Sequence, residues 1–104
     1  MSGEAKVKID IELSSVFEVA GLSRHLSVEM KEQEATVKHL LHRLSEMGGE
    51  KIKPFLFEKG EESVLPGLMV MVNDRVLTGT ALGQQVVELR DRDKVSLLYF
   101  ISGG

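Results

Sequence analysis

The sequence ends in two glycines, Gly103 and Gly104, which follow an apolar stretch after a single serine. Because glycine has no Cβ, such an end can lie extended in a narrow channel that excludes side chains. Its only reactive group would be the carboxylate of Gly104. That group is ionised at pH 7 and is a poor electrophile, so another protein would have to activate it, for example as an acyl-adenylate. The sequence therefore predicts a flexible tail over about residues 102–104 that other enzymes modify.

The three histidines are the other candidates for chemistry. His39 and His42 lie three residues apart on a predicted helix, so they would share a face and could chelate a metal ion. That face is opposite the leucine stripe, and His25 belongs to another element. Metal sites need three or four ligands, so we expect solvent-exposed histidines and no metal site. Cysteine is absent, which excludes disulfides, thiolate catalysis and cysteine-ligated metals.

The amino-acid composition argues against nucleic acids and membranes as direct binding partners. The 104 residues include 13 Lys and Arg against 16 Asp and Glu, which gives a net charge of −3. Such a chain, with four phenylalanines and one tyrosine, lacks the basic surface and the stacking platform that nucleic acids need. No apolar run approaches a membrane span, and the first residues lack the core of a signal peptide. We expect one cytoplasmic domain over residues 1–104 that contacts neither nucleic acid nor membrane directly.

Alternating apolar residues predict the first two strands. Over residues 6–13 and 24–30 every second residue is apolar, a period of two that places them on one face of a strand. These residues are Val7, Ile9, Ile11 and Leu13, followed by Leu26, Val28 and Met30. The pattern predicts an antiparallel hairpin whose long connection lies between the two strands.

The apolar period becomes helical between residues 36 and 47. Thr36 can act as N-cap, and Gly48 can adopt the left-handed conformation that ends a helix. The sequence predicts one amphipathic helix of about three turns, with its apolar stripe formed by Val37, Leu40, Leu41, Leu44 and Met47.

The second half of the chain predicts further strands. Residues 50–66 are too apolar for a free loop, so we expect a packed irregular segment with a short helical turn and a mobile tip at 60–62. A strand over 68–72, a turn at 73–74 and a short strand near 76–77 follow. We expect irregular backbone at Gly79 and Gly83, and a last strand over 94–101.

This order of elements predicts an α+β fold. One helix can cover one face of a mixed sheet of four to five strands, with the final strand parallel to the first. That is the β-grasp arrangement, although split βαβ topologies fit the same pattern nearly as well.

An apolar patch on the sheet face away from the helix is a candidate binding surface. If Val95 and Leu97 face the helix, Leu98 and Phe100 face outward. Residues of the strand over 68–72 would join them: either Met69 and Met71, or the alternate set Leu68, Val70 and Val72. Two interpretations stay open, because the segment around Phe55–Phe57 could fold over this patch and cover it.

Three segments resemble the ubiquitin-like sulfur carriers, a family that includes the small subunit of molybdopterin synthase (MoaD), the thiazole-pathway carrier (ThiS) and the eukaryotic ubiquitin-related modifier. Residues 35–44 read ATVKHLLHRL and are similar to the family's Thr-Val-x-x-Leu-Leu helix. Residues 65–73 read LPGLMVMVN, like its Pro-Gly-apolar-Val-Asn segment. Residues 89–104 read LRDRDKVSLLYFISGG, like the Leu-x-Asp-Gly-Asp-x-Val strand that runs to a terminal Gly-Gly. The likeness spans nearly the whole chain and favours the MoaD-like branch.

The resemblance implies a carrier protein or the small subunit of a synthase rather than an independent enzyme. An E1-like adenylyltransferase using ATP and Mg²⁺ would adenylate Gly104, and a persulfide donor would then convert it to a thiocarboxylate. Gly103 would give access to the partner's channel, and the docking strand would comprise Leu98, Phe100, Ile101 and Ser102. The sulfur would pass to a molybdopterin synthase large subunit or to a tRNA thiolase. No cofactor is expected on this chain itself.

Two departures from the family pattern bear on these expectations. Arg92 stands where the family often has glycine, so its turn must avoid a positive φ or be strained. Tyr99-Phe100 replaces the Pro-Pro of many MoaD proteins, which argues against a fit to a molybdopterin synthase large subunit. Two alternative functions remain: a protein modifier that forms isopeptide bonds through Gly104, and a β-grasp interaction domain with an incidental Gly-Gly end.

Overall fold

The computed structural model describes residues 5–14, 21–58 and 63–99. The predicted hairpin is confirmed by strands β1 (Lys6–Leu13) and β2 (His25–Lys31), which pair antiparallel. Every second residue of β1, from Val7 to Leu13, is buried. Most of the connection between these strands lies outside the described residues.

The main helix, α1 (Val37–Gly48), has the predicted N-cap and most of the predicted apolar stripe. The Thr36 hydroxyl oxygen accepts a hydrogen bond from the backbone N–H of His39 at 3.1 Å, and the apolar stripe from Val37 to Leu44 is buried. Met47 departs from this stripe and is 49% exposed.

The predicted end of α1 is wrong by one residue. Gly48 has φ −93° and remains in the helix, whereas Gly49 has the positive φ of 69°. Two adjacent glycines offer the same conformational freedom, so the local sequence could not distinguish them. A 3₁₀ turn at Gly49–Lys51 follows and leads to Ile52, which is fully buried.

The apolar segment after α1 packs as predicted, with more regular structure than expected. It forms a short helix, α2 (Lys53–Leu56), and two short antiparallel strands, β3 (Phe57–Glu58) and β4 (Ser63–Val64). Leu56 and Phe57 are buried in the core. The predicted mobile tip at 60–62 lies outside the described residues.

The last elements are β5 (Leu68–Val72), β6 (Arg75–Thr78), a single-turn helix α3 (Gly79–Leu82) and β7 (Lys94–Tyr99). The irregular backbone predicted at Gly79 is wrong, because Thr78 caps α3 by accepting a hydrogen bond from the N–H of Ala81 at 3.2 Å. Gly79 also lies against the backbone of Leu65, where a Cβ would be 1.9 Å from the carbonyl oxygen.

Among the described residues, five strands form the main sheet in the order β2-β1-β7-β5-β6. β7 is central, parallel to β1 on one side and antiparallel to β5 on the other. Apolar residues from α1 and the sheet form one core between them. This topology confirms the α+β β-grasp prediction and excludes the split βαβ alternative. In the part of the chain that is described, no helix has both the length and the apolar character to cross a membrane.

Candidate docking face

The alternation of side chains along β5 decides which residues lie on the outer face, the side of the sheet away from α1. Leu68 and Val70 are fully buried and Val72 is 8% exposed, so all three face the core. Met69 and Met71 therefore point outward, and both are half-buried. Of the two alternatives that the sequence left open, the structure selects the methionine pair.

Strand pairing extends these methionines into a continuous surface. Met69 lies opposite Leu98 of β7, which is 41% exposed, and Met71 lies opposite Val76 of β6, which is 51% exposed. We call these four residues the apolar patch. Sequence analysis missed Val76, although a buried Leu77 in the same short strand requires Val76 to face the other way.

The segment around Phe57 does not cover the apolar patch. Phe57 is 4% exposed and lies on the opposite side of the sheet, where its ring stacks on His42 of α1 with centroids 4.6 Å apart. Phe55 likewise packs against the core. Among the described residues, the patch therefore remains open to a partner.

Polar residues border the apolar patch on the outer face of β1 and β2. Glu12 lies opposite Ser96 in the ladder between β1 and β7, and its carboxylate is 3.7 Å from the imidazole of His25. One row across the sheet thus passes from polar to apolar side chains, in the order His25, Glu12, Ser96, Met71 and Val76. This polarity gives the face a defined orientation for a partner.

The turn before β7 fixes where the last strand starts. One carboxylate oxygen of Asp93 accepts from the backbone N–H of Arg90 at 2.8 Å, and the other accepts from the Asn73 side-chain amide at 3.1 Å. The Asn73 carbonyl oxygen accepts from the N–H of Lys94 at 3.1 Å. These bonds attach the start of β7 to the turn between β5 and β6.

Arg92 is strained within this turn. Its φ of 70° lies in the left-handed region that favours glycine. Of the two outcomes the sequence allowed for this residue, the structure shows the strained one. The backbone N–H of Arg92 donates to the carbonyl oxygen of Lys8 at 2.7 Å, so pairing with β1 holds this conformation.

The described residues include three of the predicted site residues: Met69, Met71 and Leu98. The structure brings these three together on the outer face. The other predicted site residues lie outside the described residues. They are Phe100, Ile101, Ser102, Gly103 and Gly104, the last three of which form the predicted tail.

The histidines occupy three separate environments. The imidazole of His39 is 3.8 Å from the carboxylate of Glu34, His25 is beside Glu12, and His42 is half-buried against Phe57. The prediction of solvent exposure is therefore wrong for His42, because the apolar segment after α1 folds back onto that side of the helix. In residues 5–14, 21–58 and 63–99, no three His, Asp or Glu side chains are grouped as metal ligands.

The family model described as Urm1 (Ubiquitin related modifier) matches residues 6–104. No match was found among proteins of curated function.

Several solved structures are similar to the whole chain. The crystal structure of SAMP1 from Haloferax volcanii is 26% identical with a TM-score of 0.73, covering 93% of this chain and 99% of that one. The solution structure of Urm1 from Trypanosoma brucei is 19% identical with a TM-score of 0.63, covering 100% of both chains. A candidate molybdopterin converting factor subunit 1 from Pyrococcus furiosus is 21% identical with a TM-score of 0.63, covering 91% of this chain and 99% of that one. The last two establish similarity of fold.

Proposed function

Because the chain belongs to the Urm1 family of ubiquitin-related modifiers, we propose that it is a sulfur carrier activated by an E1-like adenylyltransferase at the carboxylate of Gly104. The observation that carries the proposal is the open apolar patch, which includes Leu98 on the strand that leads toward Gly104. Gly104 is six residues beyond Leu98 in the sequence, a distance of at most about 22 Å of extended chain. An enzyme seated on the patch is therefore within reach of that carboxylate.

The chemistry begins with the carboxylate as nucleophile. In the activating enzyme, an oxygen of Gly104 would attack the α-phosphorus of ATP, and Mg²⁺-bound pyrophosphate would leave. The terminal sulfur of a persulfide donor would then attack the acyl carbon and displace AMP, forming an acyl disulfide. A thiol of the activating machinery would reduce that S–S bond, releasing the thiocarboxylate and becoming part of a disulfide itself. Gly103 would admit the tail to a channel too narrow for side chains.

The apolar patch would supply binding energy for this activation. Methionine side chains adapt to different contact surfaces, and an exposed apolar cluster bordered by polar residues is typical of a protein-binding site. The row from His25 to Val76 would set the orientation of the partner. Phe100, Ile101 and Ser102 would continue the docking strand beyond Leu98. The thiocarboxylate would then supply sulfur to a molybdopterin synthase large subunit or a tRNA thiolase.

A second function, protein modification, has an observation in its favour. The H. volcanii relative, at 26% identity, is described as a small archaeal modifier protein in a second structure of that protein. In this case a lysine amine of a target would attack the activated Gly104 carbonyl and displace AMP, which leaves an isopeptide bond. Both functions use the same activation step and differ in the nucleophile that follows it.

Intact-mass measurement of the chain purified from its native cell separates these functions. A carrier would end at Gly104 and show the mass gain of one sulfur replacing one oxygen. A modifier would instead leave Gly-Gly remnants on lysines of other proteins. A mature chain with neither product, whose function survives deletion of Gly103 and Gly104, would refute both and favour a simple interaction domain.

A matched pair of variants tests the role of the apolar patch. Full burial of a leucine contributes about 1.5–3 kcal/mol, and 41% of Leu98 remains to be buried. We expect Leu98→Ala to raise the KM for adenylation about fivefold with little change in kcat, since docking contributes uniform binding. Val86 is 78% exposed and lies outside the patch, so Val86→Ala should leave the KM unchanged. Equal KM values for the two variants would contradict docking on this face.

A further inference from the structure

The outer strand β2 pairs with β1 along one edge. No strand of the described residues pairs with its other edge, which we call the free edge. Leu13 donates its backbone N–H to the carbonyl oxygen of Arg24 at 2.7 Å, and Glu32 donates to Ala5 at 2.9 Å. In the antiparallel register of β1 and β2 these residues lie directly opposite each other. Residues of β2 with even numbers therefore turn their backbone groups toward β1, and those with odd numbers turn them away from the sheet.

The free edge thus presents the backbone N–H and C=O groups of His25, Ser27 and Glu29. Within the described residues no strand pairs with this edge. The Arg43 guanidinium of α1 reaches this edge and donates to the carbonyl oxygen of Glu29 at 3.4 Å. A bond of that length at an exposed site is weak. The guanidinium lies at the Glu29 end of the edge and can be displaced at little cost.

The side chains beside this edge suit an extended peptide with a particular composition. On the helix side of the sheet, Leu26 of β2 is only partly buried against the core. Met47 is 49% exposed and lies four residues after Arg43, on the same face of α1. The space between β2 and α1 therefore has apolar side chains and one cation, which favours a partner segment with both apolar and acidic residues.

We propose that the free edge of β2 binds an extended segment of a partner protein as a sixth strand. Its backbone would pair with His25, Ser27 and Glu29, as in other cases of strand addition to a sheet edge. Alternate side chains would face α1, with β-branched residues near Leu26 and a carboxylate at Arg43. A carboxylate accepts a shorter and stronger hydrogen bond from a guanidinium than a carbonyl does, so Arg43 would exchange Glu29 for the acidic residue.

This site is separate from the apolar patch and does not depend on the proposed function. Two strands, β1 and β7, lie between β2 and β5, which places the edge about 14 Å from the methionines at the usual strand spacing. A bound segment would leave the outer face accessible. The chain could hold a target or scaffold at β2 while an activating enzyme occupies the patch.

A pair of synthetic peptides tests the proposal with the intact chain. The first is a capped peptide in which threonine alternates with valine, isoleucine and aspartate, and the second has lysine in place of aspartate. In an NMR titration we expect the first peptide to shift the amides of His25, Ser27 and Glu29 and to slow their hydrogen exchange. N-methylation of the same peptide at alternate residues should abolish binding, because it removes the backbone donors.

Two sets of variants locate the contacts. The N–H of Ser27 points away from β1, so Ser27→Pro is compatible with an edge strand and should abolish binding, while Ser27→Thr should preserve it. Arg43→Ala should weaken the aspartate peptide about fivefold, the upper range for an exposed ion pair, and should leave the lysine peptide unaffected. Shifts confined to Met69 and Leu98, equal affinity for the two peptides, or dimerisation of the chain through β2 would overturn the proposal.

Discussion

The close approach of α3 to the segment before β5 makes Gly79 sensitive to substitution. Substitution of Gly79 by alanine would place a Cβ 1.9 Å from the carbonyl oxygen of Leu65 and 3.0 Å from Cα of Pro66. Real Cβ atoms essentially never come this close to backbone atoms, and backbone cannot rotate away as a flexible side chain can. Either α3 or the Leu65 segment must therefore move.

The expected loss of stability depends on the packing and the hydrogen bonds of Leu65. Overpacking that shifts backbone costs about 1–3 kcal/mol. Leu65 also donates its N–H to Leu56 at 2.8 Å and accepts from Leu68 at 3.0 Å, and loss of such bonds costs about 1 kcal/mol each. We expect Gly79→Ala to lower the free energy of unfolding by about 3 kcal/mol, which corresponds to a fall in Tm of about 15 °C.

Gly83, at the other end of α3, provides the matched control. It has φ −76° and ψ −15°, and a Cβ there would meet its nearest atom, the Thr80 carbonyl oxygen, at an ordinary 3.5 Å. Gly83→Ala should therefore stabilise the fold by about 0.5 kcal/mol, because it restricts the unfolded chain. Urea denaturation followed by circular dichroism measures both. If the free energy of unfolding of Gly79→Ala is within about 1 kcal/mol of the wild-type value, α3 does not pack closely against the backbone of Leu65.

Substitutions at three further residues, each with a matched control, test local features by the same denaturation assay. Arg92→Gly should stabilise by about 0.5–1 kcal/mol, since relief of left-handed strain exceeds the entropic cost of glycine, whereas Arg92→Ala retains the strain. Thr36→Ala should destabilise by about 1 kcal/mol through loss of the cap, and Thr36→Ser should retain most of it. Asp93→Ala should cost about 1–2 kcal/mol, because two donors lose their acceptor, while Asp93→Asn preserves one of the bonds.

At each of the three residues, one result of the denaturation assay would contradict the expected effect. Equal stability of the glycine and alanine variants at residue 92 would mean that the positive φ stores no strain. A serine variant at residue 36 as unstable as the alanine variant would show that the hydroxyl is not the cap. An unchanged midpoint for Asp93→Ala would show that water replaces the carboxylate in the turn before β7.

The sequence predicted those elements whose side chains alternate clearly between core and solvent. Val7 to Leu13 in β1 and Val37 to Leu44 in α1 are buried as their spacing required. Residues 68–72 are apolar throughout, so the sequence could not show which alternate set faces outward. The burial of Leu68, Val70 and Val72 in the folded structure decided that Met69 and Met71 do. The single turn of α3 was missed because its glycine is explained by a contact with Leu65, distant in sequence.

The sequence predicted which described residues share the outer face, and their role in binding a partner stays a prediction. The likeness to ubiquitin-like sulfur carriers is confirmed by the family match over residues 6–104, and Leu98 joins Met69 and Met71 as proposed. Val76 was not predicted, since an isolated valine in a short strand carries little information about its neighbours. The roles of Gly103 and Gly104 stay predictions, which intact-mass measurement can test.

The central position of β7 has a mechanical consequence. A pulling force applied through the end of this strand acts along its axis, and the ladders to β1 and β5 both resist it. Their hydrogen bonds lie across the direction of pull, so they are loaded in shear and must rupture together, whereas a peeled edge strand loses its bonds one at a time. A chain pulled through the end of β7 would thereby resist extraction by unfolding motors, which are limited by the rate of forced unfolding.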